Sequence, residues 1–154
     1  MNQVQQILEN ARARGQEQQF PYAGAVTVQE AYTLLQEDAA IKLIDVRTNA
    51  ERDWVGLVAI DKAQHGACEW STYPGGAPNP AFLQELQAQA KPDQVVLFLC
   101  RSGVRSRHAA KLATEQGYTH CFDILQGFEG DKDGHSHRKT VGGWCHAGLP
   151  WSGA

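Results

Sequence analysis

The longest uninterrupted apolar run in this 154-residue chain, Val95 to Cys100, is far short of the roughly 20 residues needed to span a bilayer, which argues against a transmembrane helix. No C-x-x-C pair occurs among Cys68, Cys100, Cys121 and Cys145, which excludes a zinc ribbon or a thioredoxin motif. Positive charge is not in excess either, with 14 basic against 17 acidic residues and a net charge of −3, so a basic nucleic-acid binder does not fit. The start, Met1 to Gln6, has neither the cationic segment nor the apolar stretch of a secretory signal. If the chain is complete, the expected location is the cytoplasm, where its cysteines stay free thiols. With 42% hydrophobic and 20% charged residues the chain is not disordered, and at this length about two-thirds of its surface is buried on folding.

The pattern along the chain alternates between helix and strand. Val4, Ile7, Leu8 and Ala11 recur at helical spacing, so residues 1–24 read as an appended helix and a connection. A strand is expected at Ala25-Val26, followed by a helix capped by Thr27 with Glu30 three residues on. The next strand is Ile41 to Val46. One or two helical turns then cover Asn49 to Trp54, with a strand around Leu57 to Ile60. Asn79 is expected to cap a helix whose first position is Pro80. The clearest strand is Gln94 to Leu99. It is followed by a helix from Ser106 to Gln116, a stop at Gly117 and a strand near Cys121 to Leu125. Continuous apolar strands separated by helices predict an α/β fold, doubly wound, with a mainly parallel sheet and helices on both faces. Its domain would be residues 25–130, with 131–154 a loop and tail packed on it.

In such sheets ligands sit beyond the carboxyl ends of the strands, and Cys100 ends the best one. The segment Cys100-Arg101-Ser102-Gly103-Val104-Arg105-Ser106 joins that strand to a helix start. Inward-facing backbone N–H groups, the helix dipole and two guanidinium groups together favour a thiolate facing an anion. Gly103 permits positive φ and keeps a side chain out of the bowl.

This segment resembles the active-site loop of the rhodanese family of sulfurtransferases. Leu43-Ile44-Asp45-Val46-Arg47 is similar to that family's early Asp-Val-Arg signature, and Glu51, Trp54 and Gly56 resemble the Glu, aromatic and Gly that follow it. The resemblance covers about residues 25–130. The tail Thr140 to Trp151 is similar to the ending of a bacterial single-domain branch. The resemblance implies a rhodanese-like fold and a Cys100 nucleophile that takes the outer sulfur of thiosulfate as sulfite leaves. Cyanide or a thiol would then accept the sulfur from the Cys100 persulfide. The nucleophile is ionised and the leaving group a weak base, so neither a general base nor a metal is expected, nor a cofactor. Arg101, Ser102, Gly103, Val104 and Arg105 would bind the donor, while Asp45 and Arg47 read as a structural ion pair.

Two other readings use the same residues: a cysteine phosphatase or arsenate reductase, and a sulfur-relay or anion-binding module without turnover. The Cys-x4-Arg spacing is one residue shorter than the Cys-x5-Arg loop that holds phosphate. Asp131-Lys132-Asp133-Gly134 resembles a calcium loop but lacks its later Glu, and His135 and His137 read as solvated. The tail from Asp131 to Trp151 has two readings: it lies near Cys100 and restricts access to it, or it only completes the core on a face remote from the site.

Overall fold

The computed structural model describes residues 2–153. Five strands, β1 (Gly24–Val26), β2 (Lys42–Asp45), β4 (His65–Ala67), β5 (Val95–Leu99) and β6 (His120–Ile124), form one sheet in the order β1-β6-β5-β2-β4. Every pairing in it is parallel. Parallel neighbours need crossovers, and the helices that supply them cover both faces. On one face, α1 (Gln3–Glu17) and α2 (Val28–Glu37) pack over Leu43, Leu97, Leu99, Phe122 and Ile124. On the other, α4 (Phe82–Gln89) and α5 (Val104–Glu115) pack over Ile44, Val96, Phe98, Cys100 and Cys121. The strict alternation along β5 therefore puts Cys100 on the α4/α5 face.

Local expectations hold or fail for identifiable reasons. Thr27 and Glu30 exchange side-chain and backbone hydrogen bonds as a capping box at the start of α2. Asn79 does not cap α4, which begins two residues later than Pro80 suggests. The Asn79 side chain is used to tie the preceding loop together, accepting from the N–H of Ala81 (3.0 Å) and donating to the Glu69 carbonyl (2.9 Å) and to Glu85 (2.6 Å). The strand near Leu57 is only β3 (Leu57–Val58), outside the main sheet and antiparallel to β7 (Trp151–Ser152). α1 is more than an appendage, because Ile7, Leu8 and Ala11 enter the same core as α2.

The tail is tied to the flank of the Cys100 loop. The N–H groups of Phe128, Glu129 and Gly130 donate to the carbonyls of Cys100 and Arg101, and those of Trp144 and Cys145 donate to Gly127 and Phe128. Gly127 makes this approach possible: its φ is +62°, and a Cβ there would sit 2.5 Å from the Cys100 carbonyl oxygen. Trp144 is fully buried on the α1/α2 side, edge-on to Tyr32, so it completes the core instead of covering the thiol. No described helix is long and apolar enough to cross a membrane.

Candidate active site

Cys100 follows the last residue of β5 and is 1% exposed. Its Sγ accepts the N–H of Gly103 at 3.0 Å and lies 3.3 Å from Ser106 Oγ. Gly103, at φ +105°, turns the chain into α5 in a backbone conformation that side chains rarely adopt. Among the described residues, the N–H groups of Arg101, Ser102, Val104 and Arg105 have no hydrogen-bond partner. They are unpartnered donors at a helix start, where backbone N–H groups and the helix dipole favour negative charge. Ser102 is half-buried, and Val104 is half-exposed on the wall of a groove of about 440 Å³ lined by Phe20, Tyr22, Arg107, His108 and Lys111.

Both loop guanidinium groups already have carboxylate partners. Arg105 meets Glu51 through two hydrogen bonds of 2.6 and 2.8 Å, and Arg101 Nε lies 3.1 Å from Glu129 Oε2. Glu51 is placed by its own helix, since it closes a capping box with Thr48 at the start of α3 (Asn49–Val55). Burial pushes the Glu51 carboxyl upward, but the hydrogen bonds and charge of Arg105, with help from Thr48, outweigh it and hold the group down at about 2. In the unfolded chain Glu51 returns to the usual carboxylate range. Its stabilising contribution is therefore complete above roughly pH 4.5 and lost as pH falls toward 2. Glu51→Gln is expected to destabilise the protein by about 1 to 3 kcal/mol at pH 7. The difference from wild type should shrink below pH 4, as read from urea midpoints at each pH. A difference that does not change with pH would contradict this pairing.

Asp45 and Arg47 lie beside this clamp, both wholly buried. Asp45 accepts from Arg47 Nε and Nη2, the latter at 2.7 Å, and Arg47 Nη2 also donates to the Gly56 carbonyl at 2.8 Å. The Arg47 guanidinium stands 4.3 Å over the Phe128 ring, which joins the pair to the turn behind the loop. Asp133, by contrast, spends its carboxylate on the N–H groups of His135 and His137 and on the Thr140 hydroxyl. No cluster that could hold a metal occurs among the described residues.

Three groups near the thiol were not singled out from the sequence. Glu51 stood only as a motif residue, and Glu129 carried no signal, because their arginine partners lie 54 and 28 positions away. The third, Asp123, did carry one: it is a carboxylate in the otherwise apolar run Cys121 to Ile124 of β6.

A family model described as the STR4 middle domain matches residues 23–154. A crystal structure of Rv0390 from M. tuberculosis superposes with a TM-score of 0.77 at 39% identity, covering 86% of this chain and 99% of that one. The chain belongs to the rhodanese family. Among curated rhodanese relatives, the thiosulfate sulfurtransferase GlpE of Haemophilus influenzae is 29% identical over 81% of this chain and 90% of its own length. A Rickettsia rickettsii protein described as an uncharacterized RP600 homolog is 34% identical over 79% of this chain and 91% of its own. A rhodanese-like domain from Anabaena, at 13% identity, shares the fold alone (TM-score 0.59, over 84% of this chain and 79% of that one).

Proposed function

We propose that this rhodanese is a thiosulfate sulfurtransferase that carries sulfane sulfur on Cys100 and delivers it to cyanide or a small thiol in the cytoplasm. The observation that carries the reading is the position of Cys100 Sγ, directly under the Gly103 N–H with unpartnered loop N–H groups on either side. The likeness to a relative named as a thiosulfate sulfurtransferase supports the choice of donor. Four free cysteines, three of them buried, fit a reducing compartment.

The chemistry needs little more than this placement. The Cys100 thiolate attacks the outer sulfur of thiosulfate, the S–S bond of the donor breaks, and sulfite leaves with its electron pair. The loop N–H groups face the charge that remains on the persulfide. Because Glu51 holds Arg105 at both nitrogens, that guanidinium shapes the loop, whereas Arg101, with 44% of its side chain exposed, is the one placed to turn toward a sulfonate.

Arg101→Ala is therefore expected to raise the thiosulfate KM about tenfold, since a charge-assisted contact contributes about 1.5 to 3 kcal/mol. Steady-state assays with thiosulfate, 3-mercaptopyruvate and an aryl phosphate test the assignment together. Thiosulfate should be the fastest donor, and phosphate hydrolysis should stay at background. Faster turnover of mercaptopyruvate would reassign the donor, and Cys100-dependent phosphatase activity above sulfur transfer would reassign the reaction.

A further inference from the structure

Behind the loop, on the α5 side of the sheet, three buried polar groups stand in line. Ser106 is wholly buried in the first turns of α5, and its Oγ lies 3.3 Å from Cys100 Sγ. The same hydroxyl donates to Asp123 Oδ1. Asp123 is 1% exposed on β6, directly across from Phe98 of β5, and among the described residues it has no ion-pair partner.

The surroundings of Asp123 disfavour a permanent carboxylate. Burial pushes its carboxyl up to about 7, against the opposing pull of the Ser106 hydroxyl and the Arg107 charge. Arg107 is partly engaged elsewhere, since its Nε donates to the Gly103 carbonyl at 2.9 Å. From the segment before β1, Tyr22 faces the same region; burial and then the Asp123 charge push its phenol up to about 12, so it stays neutral. Arg105 also feels the Cys100 charge but is held by Glu51. Cys100 and Asp123 are thus two acidic groups joined through one hydroxyl, in a site where two negative charges are costly.

A hydroxyl has one proton to give. When Asp123 is ionised, Ser106 donates to it, and the Cys100 thiol can only donate to Ser106. When Asp123 is protonated, it donates to Ser106, and Ser106 turns its proton to a sulfur anion. The two arrangements have the same net charge and differ by the movement of two protons along the line.

We propose that Ser106 and Asp123 form a proton relay for Cys100: the thiol passes its proton to Ser106 Oγ as Ser106 passes its own to Asp123 Oδ1, leaving a thiolate and a carboxylic acid. The relay rests on the sulfurtransferase reading for its use, but its existence does not require that reading. During transfer the proton stays on Asp123. One thiolate and one thiosulfate dianion become one persulfide anion and one sulfite dianion, with no proton released. Ser106 touches the reacting sulfur, and Asp123 acts through it as a positioning residue. This supplies the internal base that the ionised-nucleophile account leaves out.

The test is the pH dependence of the Cys100 thiolate, read by ultraviolet absorbance as the difference between each protein and its Cys100→Ser counterpart. In the wild type the thiolate should appear in two steps, because the second charge in the site is opposed by the first. In Asp123→Asn, which keeps shape and removes the second ionisation, it should appear in one step of full amplitude. A single step in the wild type would overturn the relay, as would a profile that Asp123→Asn leaves unchanged.

A second measurement does not need the thiol. A carboxyl raised in the folded state holds an extra proton between its unfolded and folded pKa values, so it makes stability fall as pH rises from about 4 to 7. Asp123→Asn should remove that fall and raise the melting temperature at pH 8 relative to wild type; no gain at pH 8 would count against the buried acid. If the thiolate titrates in two steps but no persulfide forms with thiosulfate, the sulfurtransferase reading fails and the relay stands. If the persulfide forms and the titration has one step, the relay alone fails.

Discussion

Cys100→Ser is expected to lower thiosulfate-dependent sulfur transfer by at least about a thousandfold while the protein stays folded. The hydroxyl fits where Sγ sits and can still accept the Gly103 N–H and meet Ser106, so packing around the 1% exposed side chain changes little. A serine is not ionised near neutral pH and forms no persulfide. The other thiols are not expected to substitute. Burial pushes Cys68 and Cys121 up to about 12, and it also raises Cys145, which sits beyond the turn at residues 125–129. A circular dichroism spectrum and melting temperature close to wild type, with turnover at background, is the expected pair of results. Turnover within tenfold of wild type would remove Cys100 from the chemistry.

The second large effect is on stability. Arg47→Ala leaves the Asp45 carboxylate buried with Arg52, at 3.6 Å, as its remaining cation among the described residues and the backbone N–H of residue 47, at 3.1 Å, as a donor, and also strips the guanidinium from the face of Phe128. Breaking a buried pair by removing one partner costs about 3 to 5 kcal/mol. For a chain of this length that corresponds to a fall in melting temperature of roughly 10 °C. Replacing both partners, as Asp45→Leu with Arg47→Met, should recover most of the loss, because the unpaired charge rather than the missing contact dominates. A fall of less than about 2 °C in Arg47→Ala would show that Arg52 or water takes over the carboxylate. The Gly56 carbonyl, which accepts from Arg47, lies where β3 begins, so this variant should also loosen the β3–β7 pairing.

What the sequence made legible is whatever depends on neighbours within a few positions. The capping box of Thr27 and Glu30, the apolar run of β5 and the glycine that opens α5 are all short-range signals, and each is present as expected. β4 was not legible because His65-Gly66-Ala67 is neither apolar nor alternating; its place at the sheet edge comes from pairing with β2. β7 is two residues long and exists only because the tail returns to β3.

At the site, the loop was visible as a contiguous segment, and the Asp45–Arg47 pair as two residues in one signature. The carboxylates that occupy Arg101 and Arg105 were not, since each arrives from a distant part of the chain. Two arginines near a thiol therefore suggested more free positive charge than the fold leaves. Asp123 was readable in principle as a charged residue in a buried strand, but its connection to the thiol through Ser106 needs the strand order that sets β6 beside β5.

The chemistry turns on a covalent sulfur at one residue, and one measurement addresses it directly. The protein is treated with thiosulfate, desalted, and examined intact and after digestion by mass spectrometry without reductant. A gain of about 32 Da, one sulfur atom, is expected, carried by the peptide containing Cys100 and absent from Cys100→Ser. Thiosulfate consumption with no adduct, or an adduct confined to Cys68, Cys121 or Cys145, would contradict it.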